Sequence, residues 1–188
     1  MKKTLLSTAL VFAAPLVNAA EPDAGMVDFV NATARAWFQT DEAQAAIKAS
    51  NAEHASVSQE KLVQLDREWR DQVGQSDQPL IASVMDSSFS ETLRAHAEAS
   101  QGVISEIIVM DNRGMNVALS SVTSDFWQGD EAKYLETYPR GADAMHASDI
   151  ELDESSQTYQ VQVSFTVTDA ATGNSIGCVT IGLNAEAF

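Results

Sequence analysis

The chain has 188 residues, of which 45% are apolar and 20% charged, a globular composition that excludes a disordered or collagen-like chain. Its 27 acidic and 11 basic residues give a formal charge of −16. This charge argues against binding to nucleic acid, which depends on Lys and Arg, and against an anionic membrane surface. The single cysteine, Cys178, excludes a disulfide framework and an all-thiolate zinc site within one chain.

The first twenty residues have the pattern of a secretory signal peptide. Lys2 and Lys3 precede a short apolar run at residues 5–17, and small residues at 17–19 provide a cleavage site. The run is shorter than the ~20 residues that a membrane-spanning helix needs. We therefore predict a cleaved leader at residues 1–20, one domain at residues 21–188, a periplasmic location and no membrane insertion.

Residues 21–102 are predicted to be helical. Apolar residues recur every three or four positions from residue 24 to about residue 50. A second helix is expected to begin at Ser56, with Gln59 as its capping-box partner. Pro79 suits the first turn of a third helix, and Gly102 lies just past its end.

After Gly102 the apolar pattern becomes that of β-strands. Residues 103–110 are rich in β-branched residues and residues 107–110 are apolar on both alternations, which predicts a strand covered on both faces, whereas residues 159–167 alternate apolar and polar. The predicted strands cover residues 103–110, 115–119, the region of Ile150, 159–167 and 175–183, and a short helix is expected at residues 130–138. The separation of helices and strands predicts an α+β fold, with N-terminal long helices followed by a five-stranded, mostly antiparallel sheet at residues 103–188.

Three segments carry a family resemblance. They are the strand and D-x-x-G turn at residues 104–114, the T-S-D-F-W-Q-G-D-E-A-K segment at residues 123–133, and the D-x-x-T-G-x-x-I-G hairpin at residues 169–177. In this order they resemble the extracytoplasmic PAS-like sensor domains of the Cache (PDC) family over about residues 80–188. The middle segment is similar to a signature of stand-alone periplasmic PDC-sensor-like proteins.

The resemblance implies a small-ligand site between the crossover and the sheet face that points away from the long helix. It places this pocket among Trp127, Tyr134, Tyr138, Asp149 and the polar face of the 159–167 strand. We add three neighbours of that pocket, His146, Asp125 and Asp130. The Arg-x-Trp-Tyr pattern with which amino-acid sensors of the family grip a carboxylate is absent, so the implied ligand is a small polar molecule, cations included.

Two roles remain open for Trp127. Its indole face, beside the carboxylates of Asp125 and Asp130, can hold a cation. Alternatively, Trp127 plugs the open edge of the core while Asp130 caps the crossover helix.

A chemical role for other residues is not expected. Residues 173–177 match the G-x-S-x-G nucleophile elbow, but a strand-like sequence follows and no His lies beyond Ser175, so we predict a hairpin and a non-catalytic protein. His54, His96 and His146 lack metal-ligand spacing, and the acidic residues near position 153 suit a solvated turn. No cofactor or metal is predicted.

The functional prediction is a periplasmic sensor-type domain that binds a small polar ligand and signals through a partner. The alternative is an interaction module without a small ligand, its cavity filled by Trp127, Tyr134 and Met side chains, which docks on a membrane-bound kinase or receptor. As in related sensors, the N-terminal amphipathic helices offer a homodimer interface.

Overall fold

The computed structural model describes residues 24–153 and 158–188, so the predicted signal peptide lies outside the described residues. The helical part contains α1 (Ala24–Phe29), a π-helical turn (Val30–Ala34), a 3-10 turn (Arg35–Gln39), α2 (Asp41–His54), α3 (Gln59–Gln72), α4 (Pro79–Met85) and α5 (Ser88–Ala99). The strands are β1 (Ile104–Asp111), β2 (Asn116–Leu119), β3 (Met145–Ala147), β4 (Glu151–Asp153), β5 (Thr158–Thr168) and β6 (Ser175–Asn184). Between β2 and β3, the crossover carries α6 (Ala132–Leu135) and a 3-10 turn (Tyr138–Arg140).

The strands form one antiparallel sheet in the order β2-β1-β6-β5-β3, and β4 also pairs with β5. The predicted α+β class and antiparallel sheet are confirmed. The strand expected around Ile150 is instead two strands, β3 and β4, which pair with different parts of β5. Between them the Ser148 hydroxyl accepts from the Gln162 amide at 3.0 Å, which replaces a backbone acceptor and interrupts the ladder.

The first predicted helix is not continuous. The chain leaves the helical conformation at Thr40, where ψ is 153°. The Thr40 hydroxyl accepts from the amide of Ala43, and α2 begins at Asp41. An N-cap threonine followed by two acidic residues is a helix start, and here it overrides the apolar periodicity.

The other helices also differ from expectation. The second begins at Gln59, with Ser58 as its N-cap instead of Ser56, because the Ser58 hydroxyl accepts from the amide of Lys61. The third is divided into α4 and α5, since Ser87 is extended and caps α5.

The crossover helix is shorter than predicted. It covers Ala132–Leu135, and its N-cap is Glu131, so Asp130 does not cap it. At its end the Thr137 hydroxyl donates to the Lys133 carbonyl at 2.7 Å, and such local bonds compete with helix continuation. Tyr138 also precedes a proline, which disfavours the α conformation.

Two apolar clusters lie on opposite faces of the sheet. The N-terminal helices, α2 and α5 cover one face, where alternate residues of β1, β5 and β6, such as Val109, Val163 and Ile181, are fully buried. On the other face, α3, α4 and the crossover cover Met110 and Cys178 at the β1–β6 centre of the sheet. The crossover therefore covers the face opposite the N-terminal helices, as the resemblance implied.

Candidate functional site

The sheet face beneath the crossover is apolar at one end and polar at the other. The apolar residues are Ile108, Met110, Met115, Leu119 and Cys178. The polar residues, by the two-residue alternation of a strand, are Glu106, Gln160, Gln162, Ser164, Thr166 and Thr180. The two ends have different covers, so they offer different chemistry.

The crossover aromatics close the apolar end. Trp127 Nε1 donates to the carbonyl of Arg113 at 2.8 Å, and the Tyr134 hydroxyl donates to the carbonyl of Asn112 at 2.8 Å. Tyr138 stacks on Tyr134 with ring centroids 5.9 Å apart. Burial raises the pKa of both tyrosine hydroxyls. The polar atoms of Trp127 and Tyr134 are thus occupied by the turn between β1 and β2, and their rings fill space.

Asp125 is held by helix α3. Arg70 lies between two carboxylates, 2.9 Å from Asp125 and 2.8 Å from Asp66, and these carboxylates raise the pKa of Arg70. The other oxygen of Asp66 accepts from the amides of Phe126 and Trp127, each at 3.1 Å. Together these contacts attach the start of the crossover to α3 and give the carboxylate of Asp125 a partner within the protein.

A cavity of about 150 Å³ lies at the polar end, between α6, β3 and β5. Its lining residues are Glu131, Ala132, Lys133, His146, Ser148, Glu151, Gln162 and Ser164. This volume is smaller than the 300–1,000 Å³ of typical drug-sized sites, so an occupant must be small.

Lys133 is the central charged group of this cavity. Its side chain is 12% exposed, and Nζ lies 3.1 Å from Glu131 and 3.3 Å from Gln128 Oε1. On the floor, Ser164 and Thr180 share a hydrogen bond of 2.9 Å. The walls therefore present both donors and acceptors.

A glycine shapes the neighbouring polar surface. Glu106, Gly182 and Gln162 are opposite one another on β1, β6 and β5. Because Gly182 has no side chain, Gln162 Nε2 reaches across it and donates to Glu106 Oε1 at 2.8 Å. A Cβ at Gly182 would lie 2.7 Å from Glu106 Cγ, so an alanine there would have to displace the Glu106 side chain.

The structure does not bring the seven predicted site residues together. Trp127, Tyr134 and Tyr138 lie at the apolar end, and Asp125 is paired with Arg70. Asp130 and Asp149 are exposed. Among the seven, His146 lines the polar cavity. A ligand-binding role for each of them stays a prediction.

Other residues of the cavity were not predicted individually. Lys133 and Glu131 lie in the segment that carries the family resemblance, and that segment is the signal that could have identified them. For Gln162 and Ser164 the signal is the apolar–polar alternation of β5. A buried pair between His54 and Asp111 was missed because its members are 57 positions apart. Their atoms Nδ1 and Oδ2 lie 2.7 Å apart, and the Asp111 side chain is fully buried.

The hairpin prediction at Ser175 is confirmed, since Ser175 begins β6 and pairs with Thr168 of β5. Cys178 is buried, and burial raises the pKa of its thiol to about 12. Within residues 24–153 and 158–188, no group of three His, Cys, Asp or Glu side chains is arranged to hold a metal ion. No helix among these residues is both long and apolar enough to cross a membrane.

Solved structures similar to this chain are sensor domains. One is the ligand-binding domain of the Campylobacter jejuni chemoreceptor Tlp3 in complex with L-norvaline, at 13% identity over 87% of this chain and 54% of that chain, with a TM-score of 0.45. Another is the sensor domain of the V. cholerae histidine kinase DctB, at 14% identity over 87% and 58%, with a TM-score of 0.40. The Tlp3 sensory domain with isoleucine bound is 12% identical over 88% and 65%, with a TM-score of 0.40.

The chain thus spans between 54% and 65% of the length of these structures. No protein-family model matches the chain, and no curated protein matches it. The N-terminal helices on one sheet face and the crossover on the other are the arrangement that the sequence resemblance implied, and the antiparallel pairing is the one that the separation of helices and strands predicted. The chain therefore has an α+β, PAS-like fold.

Proposed function

We propose that this chain is a periplasmic, non-catalytic sensor-type domain that binds a small polar ligand beneath the crossover and signals through a partner. The observation that carries the proposal is the polar cavity of about 150 Å³ between α6, β3 and β5. It lies between sheet and crossover, where the resemblance implies ligand binding. A membrane-bound sensor kinase or chemoreceptor is the partner class that we propose.

The charges around the cavity favour a neutral or singly cationic ligand. The ionised lining residues Glu131, Glu151 and Lys133 carry a net charge of −1 while His146 is neutral. Lys133 is already paired with Glu131, so its charge is compensated without a ligand anion. Gln162 and Ser148 add hydrogen-bonding groups that can fix the orientation of a small polar molecule.

One observation favours the alternative of a ligand-free interaction module. Trp127 and Tyr134 fill the apolar end of the face, and their polar hydrogens donate to backbone carbonyls. An apolar ligand therefore has no space there, and the choice between the two functions depends on the polar cavity.

Thermal shift separates the two functions. The purified chain is heated with amino acids, polyamines, quaternary amines, organic acids and purines, each tested singly. A ligand at ~100 times its Kd adds about 2.7 kcal/mol, which raises Tm by about 5–10 °C for a chain of this size. We expect the shift to disappear in His146→Ala and Lys133→Met and to remain in Lys61→Met, whose side chain is exposed on α3.

If no compound raises Tm and no small molecule is released when the purified protein is denatured, the interaction module is favoured. A shift that survives both cavity substitutions would contradict the proposed site.

A further inference from the structure

The sheet exposes apolar side chains at strand β4. Leu152 of β4 is 47% exposed, and Tyr159, which lies opposite it on β5, is 52% exposed. Ile150, two positions before Leu152, is 44% exposed. Single exposed apolar residues are common on protein surfaces, but a cross-strand pair with a third apolar neighbour is a patch of the kind that marks an interaction surface. We call Ile150, Leu152 and Tyr159 the edge patch.

The backbone of β4 is open beside this patch. Among the described residues, β4 pairs with β5 and with no other strand. The outer side of an edge strand presents N–H and C=O groups with which an added strand can pair. Proteins commonly protect such edges with Lys or Pro, and residues 149–153 contain neither. This edge can therefore accept an extended segment of another chain.

The two faces of β4 differ in polarity. Glu151 lies opposite Gln160 and lines the cavity beneath the crossover. By the two-residue alternation of a strand, Leu152 and Tyr159 lie on the other face. Along residues 149–153, acidic and apolar residues alternate and no residue is basic. Opposite charges and apolar pairs stabilise neighbouring strands, so a segment in which basic and apolar residues alternate is the complement of this edge.

The same charges disfavour a second copy of this chain as the occupant. The chain has 27 acidic and 11 basic residues, a formal charge of −16. Pairing two β4 edges would bring the acidic residues of both copies together, and like charges across strands are destabilising. A basic segment is instead attracted to this acidic surface.

We propose that the edge patch and the open edge of β4 dock an extended segment of a partner protein in which basic and apolar residues alternate. Its apolar side chains pack on Leu152 and Tyr159, and its Lys or Arg side chains pair with Glu151 and the exposed Asp149. The proposal gives a docking surface to the partner of the proposed function, and it rests on that function in this respect alone. Binding of a small ligand is not required for it.

Fluorescence anisotropy of the purified chain with a labelled peptide tests the proposal. The probe is a short peptide that alternates lysine and valine. One comparison peptide replaces each valine by serine, and another carries N-methylated backbone amides, which cannot donate to β4. We expect the lysine–valine peptide to bind at least about tenfold more tightly than either comparison peptide, because the proposed docking needs both the apolar contacts and the backbone hydrogen bonds.

Variants of the chain test the location. Leu152→Ser/Tyr159→Ser should weaken peptide binding by about tenfold or more. The matched control, Val63→Ser/Val122→Ser, removes two exposed apolar side chains elsewhere and should change the Kd by less than about twofold. Glu151→Gln should weaken binding by about two- to fivefold, the effect of one surface ion pair.

Several results would overturn the proposal. They are no detectable binding of the lysine–valine peptide, equally tight binding of the N-methylated peptide, and equal weakening by the two double variants. Sedimentation of the chain alone tests for a second copy: a dimer that Leu152→Ser/Tyr159→Ser converts to a monomer would assign the edge to self-association and overturn the partner. The thermal-shift screen is read separately, so a peptide that binds while no small molecule raises Tm supports the docking edge and contradicts only ligand binding.

Discussion

Replacing Asp111 by alanine should cause a large loss of stability. The carboxylate is fully buried at the end of β1 and accepts four hydrogen bonds within the protein. Oδ2 lies 2.7 Å from His54 Nδ1 and accepts from the Ser50 hydroxyl at 3.0 Å. Oδ1 accepts from the amides of Arg113 at 2.8 Å and Met115 at 3.0 Å. The residue therefore joins the end of α2 to the turn between β1 and β2.

The magnitude follows from these four contacts. Hydrogen bonds to a charged group are worth about 1.5–3 kcal/mol each but do not add in full, and each buried donor left without its partner costs about 1–3 kcal/mol. We therefore expect Asp111→Ala to lower the free energy of unfolding by about 3–5 kcal/mol, which corresponds to a fall in Tm of about 6–20 °C. Typical domains are stable by about 5–15 kcal/mol, so the variant should still fold at low temperature.

Urea unfolding followed by tryptophan fluorescence measures this loss. The control is Asp169→Ala, in the β5–β6 hairpin, where the carboxylate also accepts two backbone amides and pairs with Lys48 at 2.8 Å. Because the Asp169 carboxylate is partly exposed and its partner Lys48 is exposed, its loss should be smaller. In the His54→Ala background the cost of Asp111→Ala should shrink, since the two share one interaction. A loss below about 1 kcal/mol for Asp111→Ala would refute the assignment of a structural junction to this carboxylate.

Three further outcomes are expected. Burial lowers the pKa of His96, so the unfolded state binds the proton first and stability is lost as the pH falls below about 6.5. His96→Phe should keep the stacking on Trp37 and lose this pH dependence. Equal changes in the urea midpoint of both proteins between about pH 8 and pH 5 would contradict this prediction. In Gly129→Ala the new methyl would lie 2.6 Å from Trp127 Cε2 and should displace the indole. We expect a loss of about 1–3 kcal/mol in the free energy of unfolding and a shift of the tryptophan fluorescence to the red. An unchanged spectrum would argue against that packing. The Cys178 thiol is fully buried, and its pKa is raised to about 12. It should therefore react with a disulfide reagent in urea but not in the native state. Fast modification of the native protein would show that solvent reaches Cys178.

The elements with a strong local signal were predicted correctly. The alternation in residues 159–167 and the turn at residues 169–173 predicted β5 and the β5–β6 hairpin, and the Gly102 boundary separated helices from strands. The helix limits were less accurate because the caps at Thr40, Ser58 and Ser87 compete with apolar periodicity, and capping depends on a single side-chain bond.

By itself, the sequence determined the α+β class and a mostly antiparallel sheet, since apolar periodicity and turn residues act over a few positions, and the family resemblance implied which face the crossover covers. Only the tertiary structure decided what the side chains do there. Trp127 and Tyr134 look like ligand contacts in the sequence, yet both bond to a turn formed 14 and 22 residues earlier. His54 and Asp111, 57 residues apart, form a buried pair for the same reason. Burial and hydrogen bonding depend on which segments pack together, and that information lies in contacts between elements rather than in any one stretch of the chain.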